Sequence, residues 1–80
     1  MKLSYDPQQN IAYLRLHTKT TQVKTVRVSD EIHVDVAPDG TVYGIELLNA
    51  NTQLRQEDGD RLVLVNEVTG EHKEVALPLS

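Results

Sequence analysis

Apolar and polar residues alternate on both sides of a turn in residues 32–48, which is the clearest pattern in the chain. Side chains two residues apart in a strand lie on one face of a sheet, so the alternation predicts two strands with one apolar face each. Between them, Pro38 presets a turn, Asp39 accepts a hydrogen bond from a nearby amide, and Gly40 supplies a positive φ. The segment therefore predicts a β-hairpin with apolar positions Ile32, Val34, Val36, Tyr43, Ile45 and Leu47.

Shorter stretches of the same kind predict further strands at residues 2–5, 11–17, 23–28, 61–66 and 73–77. Helix-forming residues behind asparagines favour one or two helical turns in residues 49–56. Most connections are too short for the crossovers that parallel strands need. We therefore expect a single, mainly β domain over residues 1–80: a small antiparallel β-meander of about five strands plus a C-terminal β-hairpin, with at most one short helix near residues 50–56. That hairpin should pack on the sheet or extend its edge.

The core must be aliphatic, because the chain has no Phe or Trp and only three Tyr. Ala12, Leu14 and Leu16 share the more apolar face of their strand, and Val26 and Val28 are expected to point inward from the next one. A folded chain of 80 residues buries only about 60–65% of the surface that its unfolded form exposes. Without cysteine, compactness must come from sheet packing or from self-association.

Composition also bears on location and on partners. The absence of cysteine suits a reducing compartment, and the sequence contains no long apolar run and no apolar N-terminal segment. We therefore expect a cytoplasmic, non-membrane protein. The net charge of −4 arises in residues 41–80, which carry three basic and seven acidic residues. An acidic half repels phosphate backbones, so nucleic acid is an unlikely partner.

Four segments carry a family resemblance: residues 1–7, 12–16, 32–36 and 39–50, which read MKLSYDP, AYLRL, IHVDV and DGTVYGIELLNA. Together they make the chain resemble a family of small, mostly prokaryotic proteins known as domain of unknown function family 2283. The resemblance covers about residues 1–50 and implies a compact, mainly β domain of unsettled biochemical role, with no catalytic residues to carry over. Residues 51–80 lie outside it.

Two sets of residues are candidates for chemistry. His17, His33 and Asp35 fall on outer strand faces, where neighbouring strands could bring them together around a divalent ion, but their spacing is that of ordinary solvated groups. Acid, base and hydrogen-bonding groups also occur nearer the N-terminus and in the hairpin, with no nucleophile linked to them. That second set is Tyr5, Asp6, Tyr13 and Glu46. We predict no catalytic, cofactor-binding or metal-binding residue and no cofactor.

Three further features are better explained by structure than by ligand binding. Residues 57–60 are acidic but lack the spaced ligands of a calcium loop. Residues 75–79 form an apolar end that either completes the core or is offered to a neighbour, and they favour a homodimer. A basic set without clustered aromatic residues suits the protection of a sheet edge better than phosphate binding. This set is Arg15, Lys19, Lys24 and Arg27.

The leading functional expectation is a small non-enzymatic module that binds a protein partner through a sheet face or edge. The partner is a second copy or, in an antitoxin-like role, a basic protein covered by the acidic half. The alternative is a small-molecule or metal-dependent enzyme with a site near Tyr5, Asp6, Tyr13 and Glu46. Weak binding of nucleic acid ranks third.

Overall fold

The computed structural model describes residues 1–18 and 22–79 and contains seven strands and one helix in that part of the chain. Its mainly β fold, with five antiparallel strands, a C-terminal hairpin and one short helix, confirms the predicted fold class. Lys19 and most of the loop predicted at residues 18–21 lie outside the described residues. The elements are β1 (Lys2–Asp6), β2 (Ile11–Arg15), β3 (Lys24–Arg27), β4 (Ile32–Val36), β5 (Val42–Leu48), α1 (Ala50–Arg55), β6 (Arg61–Val65) and β7 (His72–Ala76).

The order of the strands in the sheet is β1-β2-β5-β4-β3. A meander would place β3 beside β2, but the structure has β5 in that position. The predicted meander order is therefore wrong at this one step. With seven residues, β5 is the longest strand, and a central position pairs the backbone groups on both of its edges. β2 ends at Arg15 and β3 begins at Lys24, which leaves enough chain between them to skip one strand position. The sheet therefore ends on β3, whose sequence KTVR suits an exposed edge.

The turn between β4 and β5 has the predicted chemistry. Gly40 has a φ of 91°, and its N–H donates to the Ala37 carbonyl at 2.9 Å. The carboxylate of Asp39 accepts a hydrogen bond of 2.9 Å from the Thr41 N–H. The turn thus fixes the register of the two central strands by local hydrogen bonding.

The helix α1 is capped from a distant part of the chain. Asn49 precedes it with a φ of 50° and makes no side-chain capping bond, contrary to the expectation of a local asparagine cap. Instead, the Asn51 N–H donates to Oδ1 of Asn10 at 2.9 Å, and the Ala50 N–H donates to the Asn10 carbonyl at 3.0 Å. Asn10 lies in the turn between β1 and β2, so the first hairpin and the helix are tied together.

The hairpin of β6 and β7 forms a separate two-stranded sheet and does not extend the edge of the larger one. Its strands pair with each other from Arg61 opposite Ala76 to Val65 opposite His72. A groove of about 250 Å³ separates this hairpin from Leu3 and Tyr5 of β1. The hairpin therefore lies near the β1 side of the sheet, across this groove.

The buried apolar residues of the described chain are three alanines: Ala12, Ala37 and Ala50. No large side chain is fully buried there. Val26 and Val28, which the sequence pattern placed in the core, are 41% and 63% exposed. Their alternation predicts the correct apolar side for Val26, but no second layer formed by residues 1–18 and 22–79 covers Val26 on that side.

We predict that Asp39 makes the β4–β5 turn sensitive to acid. The backbone hydrogen bond from Thr41, helped by the Thr41 hydroxyl, lowers the pKa of Asp39 below its ordinary value. A lowered folded-state pKa contributes stability that is present above the unfolded-state pKa of about 3.9 and is lost as the pH falls through the folded-state value. Asp39→Asn should therefore differ most from the wild type above about pH 5, and the difference should shrink below that.

Urea denaturation from pH 2.5 to pH 7 measures this difference. The expected effect is small, because the carboxylate is exposed and screened by solvent. Asparagine keeps a side-chain oxygen in the turn, so the comparison isolates the charge. A difference in stability that does not change with pH would contradict the assignment.

A second prediction concerns the cap of α1. Asn10→Ala should lower the free energy of unfolding by about 1–2 kcal/mol, because the N–H of Asn51 loses its acceptor. Asn10 has a φ of 56°, so Asn10→Gly serves as the control that removes the side chain without straining the backbone. Denaturant unfolding should place Asn10→Gly between the wild type and Asn10→Ala. A glycine variant as stable as the wild type would show that backbone conformation alone matters.

Candidate functional site

One face of the five-stranded sheet is apolar along its strands except at Lys24, which lies opposite Val36. In the register of the sheet, Leu3, Leu14, Ile45, Val34 and Val26 lie opposite one another in a single row across all five strands. Directly opposed residues of antiparallel strands point to the same face, and every second residue along a strand joins them. The apolar face is therefore formed by Leu3, Tyr5, Ala12, Leu14, Val26, Ile32, Val34, Val36, Ile45 and Leu47.

The apolar face is covered unevenly. At its β1 side, Leu3 and Tyr5 line the groove described above. Leu54 of α1 and Leu62 and Val75 of the hairpin line the same groove. At its β3 side, a shallow groove of about 400 Å³ has no lining residue from α1 or the hairpin among the described residues. The lining there is Lys24, Val26, Val36, Ala37 and Pro38. The half of the face near β3 thus remains open.

The opposite face is polar and internally hydrogen bonded. The Tyr13 hydroxyl donates to one oxygen of the Asp35 carboxylate at 2.7 Å, and the Thr25 hydroxyl donates to the other oxygen at 2.7 Å. Asp35 is only 9% exposed. Since these residues belong to β2, β4 and β3, the carboxylate links three strands from above the sheet.

Gly44 makes this arrangement possible. It lies on β5 between Arg15 and Asp35, and the Tyr13 phenol passes over it, where a Cβ atom would overlap the ring and the hydroxyl. A glycine inside a strand often marks such a close approach. The group that comes closest to Gly44 is the Tyr13 side chain.

Next to this cluster, Nδ1 of His33 lies 3.1 Å from Oε1 of Glu46. Both side chains are partly exposed, and Tyr13 is the cross-strand neighbour of Glu46. A histidine paired with a carboxylate can exchange a proton. No nucleophile accompanies the pair among the described residues, and the pair lies on an open sheet surface.

The four residues of the predicted enzyme site do not converge. Tyr5 lies on the apolar face, where its hydroxyl donates to Oδ1 of Asn10 at 3.2 Å. Asp6 accepts hydrogen bonds from the backbone of its own turn at 2.9 and 3.3 Å. Tyr13 and Glu46 are on the opposite face. Tyr5 and Asp6 therefore hold turns and caps in place and share no cleft with the other two.

The other candidate residues have separate surroundings. His17 packs edge-on against Tyr43 with ring centroids 5.8 Å apart, while His33 and Asp35 have the partners given above. Residues 1–18 and 22–79 contain no group of three His, Asp or Glu side chains that could hold a metal ion. In the acidic segment 57–60, Asp60 accepts a hydrogen bond from Arg55 and raises the pKa of that guanidinium above its ordinary value.

The basic residues suggested for a sheet edge are also dispersed. Arg27 forms an ion pair with Asp30, and Lys24 borders the open groove at the β3 side. Arg15 lies opposite Lys2 at the other end of the polar face. These side chains do not form a single basic patch.

The sheet coincides with a region shared by other proteins. The family model "Protein of unknown function (DUF2283)" matches residues 2–51 of the 80-residue chain, and this match confirms the resemblance found in the sequence. The chain belongs to this family. The DUF2283 region contains all five strands of the sheet and the first residues of α1, while β6 and β7 lie beyond it.

Comparison with the curated proteins and with the solved structures finds no match to this DUF2283 protein. In the described residues, no helix has the length and apolar character required to cross a membrane. The partly exposed apolar face of the sheet lies within the DUF2283 region.

We predict that Gly44 and Tyr13 are energetically coupled. Gly44→Ala should lower the free energy of unfolding by about 1–3 kcal/mol, because the added methyl displaces the phenol and breaks its bond to the nearly buried Asp35. In a Tyr13→Leu background, the same substitution should cost much less, because no ring lies over the site.

Denaturant unfolding of the two single variants and the double variant forms a thermodynamic cycle that measures this coupling. An equal cost of Gly44→Ala in both backgrounds would mean that the strand, and not the Tyr13 side chain, requires glycine.

Proposed function

We propose that this DUF2283 protein is a non-enzymatic, self-associating interaction module whose apolar face binds a second copy of the chain. The observation that carries the proposal is the composition of the buried interior: the apolar residues buried in the described chain are all alanines. The Ile, Leu and Val residues of the sheet keep part of their surface in water. A single sheet gains its hydrophobic stabilisation only when another layer covers its apolar face.

The accessible surface area of the chain supports a partner of similar size. The accessible surface is 5883 Å², whereas a compact monomer of the same mass exposes about 4,900 Å². The surplus of about 1,000 Å² is close to the ~800 Å² per partner of a standard protein interface. The radius of gyration of 14.1 Å likewise exceeds the roughly 12 Å of a compact chain of this length. One layer of similar size is therefore enough to complete the fold.

A second copy is the partner whose chemistry fits best. It carries the same exposed aliphatic side chains, and layers of this composition bury one another in β folds. A twofold dimer of this kind is also the commonest closed assembly. In this proposal the module acts in the cytoplasm, and a basic partner in an antitoxin-like complex is the competing occupant.

The proposal predicts a dimer that a charge on one face disrupts. Light scattering between 1 and 500 µM should give a mass of twice the 9.0 kDa of the chain. Val26→Lys should weaken self-association about tenfold or more, because each copy would bury an unpaired ammonium group. Val26 is on an edge strand and already partly exposed, so the variant should keep its fold.

The matched control is Ser4→Lys, which adds the same charge to the other edge strand on the polar face. It should remain dimeric, and circular dichroism should show that both variants keep the β-sheet spectrum. A wild-type mass of 9.0 kDa at every concentration, or equal association of the two variants, would overturn the proposal.

A further inference from the structure

We propose that the hairpin of β6 and β7 is an exchanged arm, which packs over the β3 side of the apolar face of the second copy. This inference rests on the proposed self-association and adds which segment of the partner fills the open half of the face. It concerns residues that lie beyond the matched family region.

The hairpin is poorly stabilised by its own chain. It is a two-stranded sheet without hydrogen bonds to the larger one, and an isolated two-stranded hairpin is only marginally stable in water. Leu62 lies opposite Val75, and Leu64 is on the same side of the hairpin. These three side chains are 40–48% exposed. The hairpin thus presents an apolar side that needs a second surface.

In its present position, only part of the apolar side of the hairpin faces the larger sheet. Leu62 and Val75 line the groove with Leu3 and Tyr5, but Leu64 does not. One end of the hairpin therefore faces the β1 side of its own sheet across this groove, while Leu64, at the other end, is not among the lining residues.

The widths of the two layers explain why one hairpin is not enough. Neighbouring strands lie about 4.8 Å apart, so the five strands span about 19 Å between the outer strand axes and the two strands of the hairpin only about 5 Å. A single hairpin at β1 cannot also cover β3 and β4. In a twofold dimer, the hairpin of the second copy is available for the open half, and the exchange is reciprocal.

The open half offers a surface of matching chemistry. Val26 and Val36 line its groove, and the exposed Val28 follows at the end of β3. The apolar side of the hairpin carries one charge, Lys73, opposite Leu64. Lys24 also lines this groove, and Asp30, which is paired with Arg27, follows β3 in the chain. Aliphatic contact with a charged rim is the usual composition of a specific interface.

Two substitutions on one strand test the exchange. Leu64→Glu should weaken self-association about tenfold or more, measured by sedimentation equilibrium, because a carboxylate would replace an interfacial leucine. The new carboxylate lies opposite Lys73, so the hairpin itself keeps a favourable cross-strand pair. The control Val65→Glu adds the same charge to the other side of the hairpin and should leave the dissociation constant within about twofold of the wild type.

Isotope-filtered NMR on the wild-type protein tests the same contact without any substitution. In a mixture of methyl-labelled and unlabelled chains, Leu64 methyl groups should show intermolecular NOEs to Val26 or Val28. Contacts between Leu62 and Leu3 should appear only within one chain and act as the internal control.

The outcomes separate the two proposals. A wild-type protein that is monomeric at all concentrations removes both. A dimer without NOEs between Leu64 and Val26 or Val28, or one weakened equally by Leu64→Glu and Val65→Glu, leaves self-association in place and overturns the exchange of the hairpin.

Discussion

A single β-sheet can bury its apolar face only against another layer, and this constraint governs the whole molecule. The five strands align aliphatic residues from Leu3 to Val26 in one row, and in the described chain a six-residue helix, a two-stranded hairpin and residues 77–79 approach one side of them. The buried apolar residues of the described chain are accordingly three alanines. The residues are patterned for a two-layer protein, and the described chain forms little more than one layer.

The secondary structure was readable from the sequence because it depends on local chemistry. Alternation marks the strands, and Asp39-Gly40 marks the central turn by its own hydrogen bonds and its positive φ. The strand order was not readable, because skipping one position depends on which strand gains most from a central place in the sheet. The role of Asn10 was missed for a related reason: its partners lie about forty residues away, and no local pattern reports such a contact.

The candidate site was only partly predictable. The alternation along the strands placed His33 and Asp35 on the outer face, away from the apolar residues, and the structure agrees. The alternation along each strand could not show that Gly44 leaves room for the Tyr13 phenol to cross β5 and reach Asp35. That contact depends on the register between strands. The alternation also could not show how far an apolar face is covered. Val26 and Val28 have the spacing of core residues, but burial is a property of the complete assembly.

The polar groups of one face are paired within the chain, whereas the apolar side chains of the other face remain partly exposed, and the proposed interface follows from this difference. On the polar face, the buried carboxylate of Asp35 has hydroxyl donors on both oxygens, and in the described chain no buried side-chain nitrogen or oxygen lacks a hydrogen-bond partner. Polar groups that are already paired have little to gain from a ligand. The accessible surface of the whole molecule exceeds that of a compact monomer by about 1,000 Å², and covering exposed apolar side chains lowers the free energy with no hydrogen bond to break. The proposed association therefore uses the apolar face.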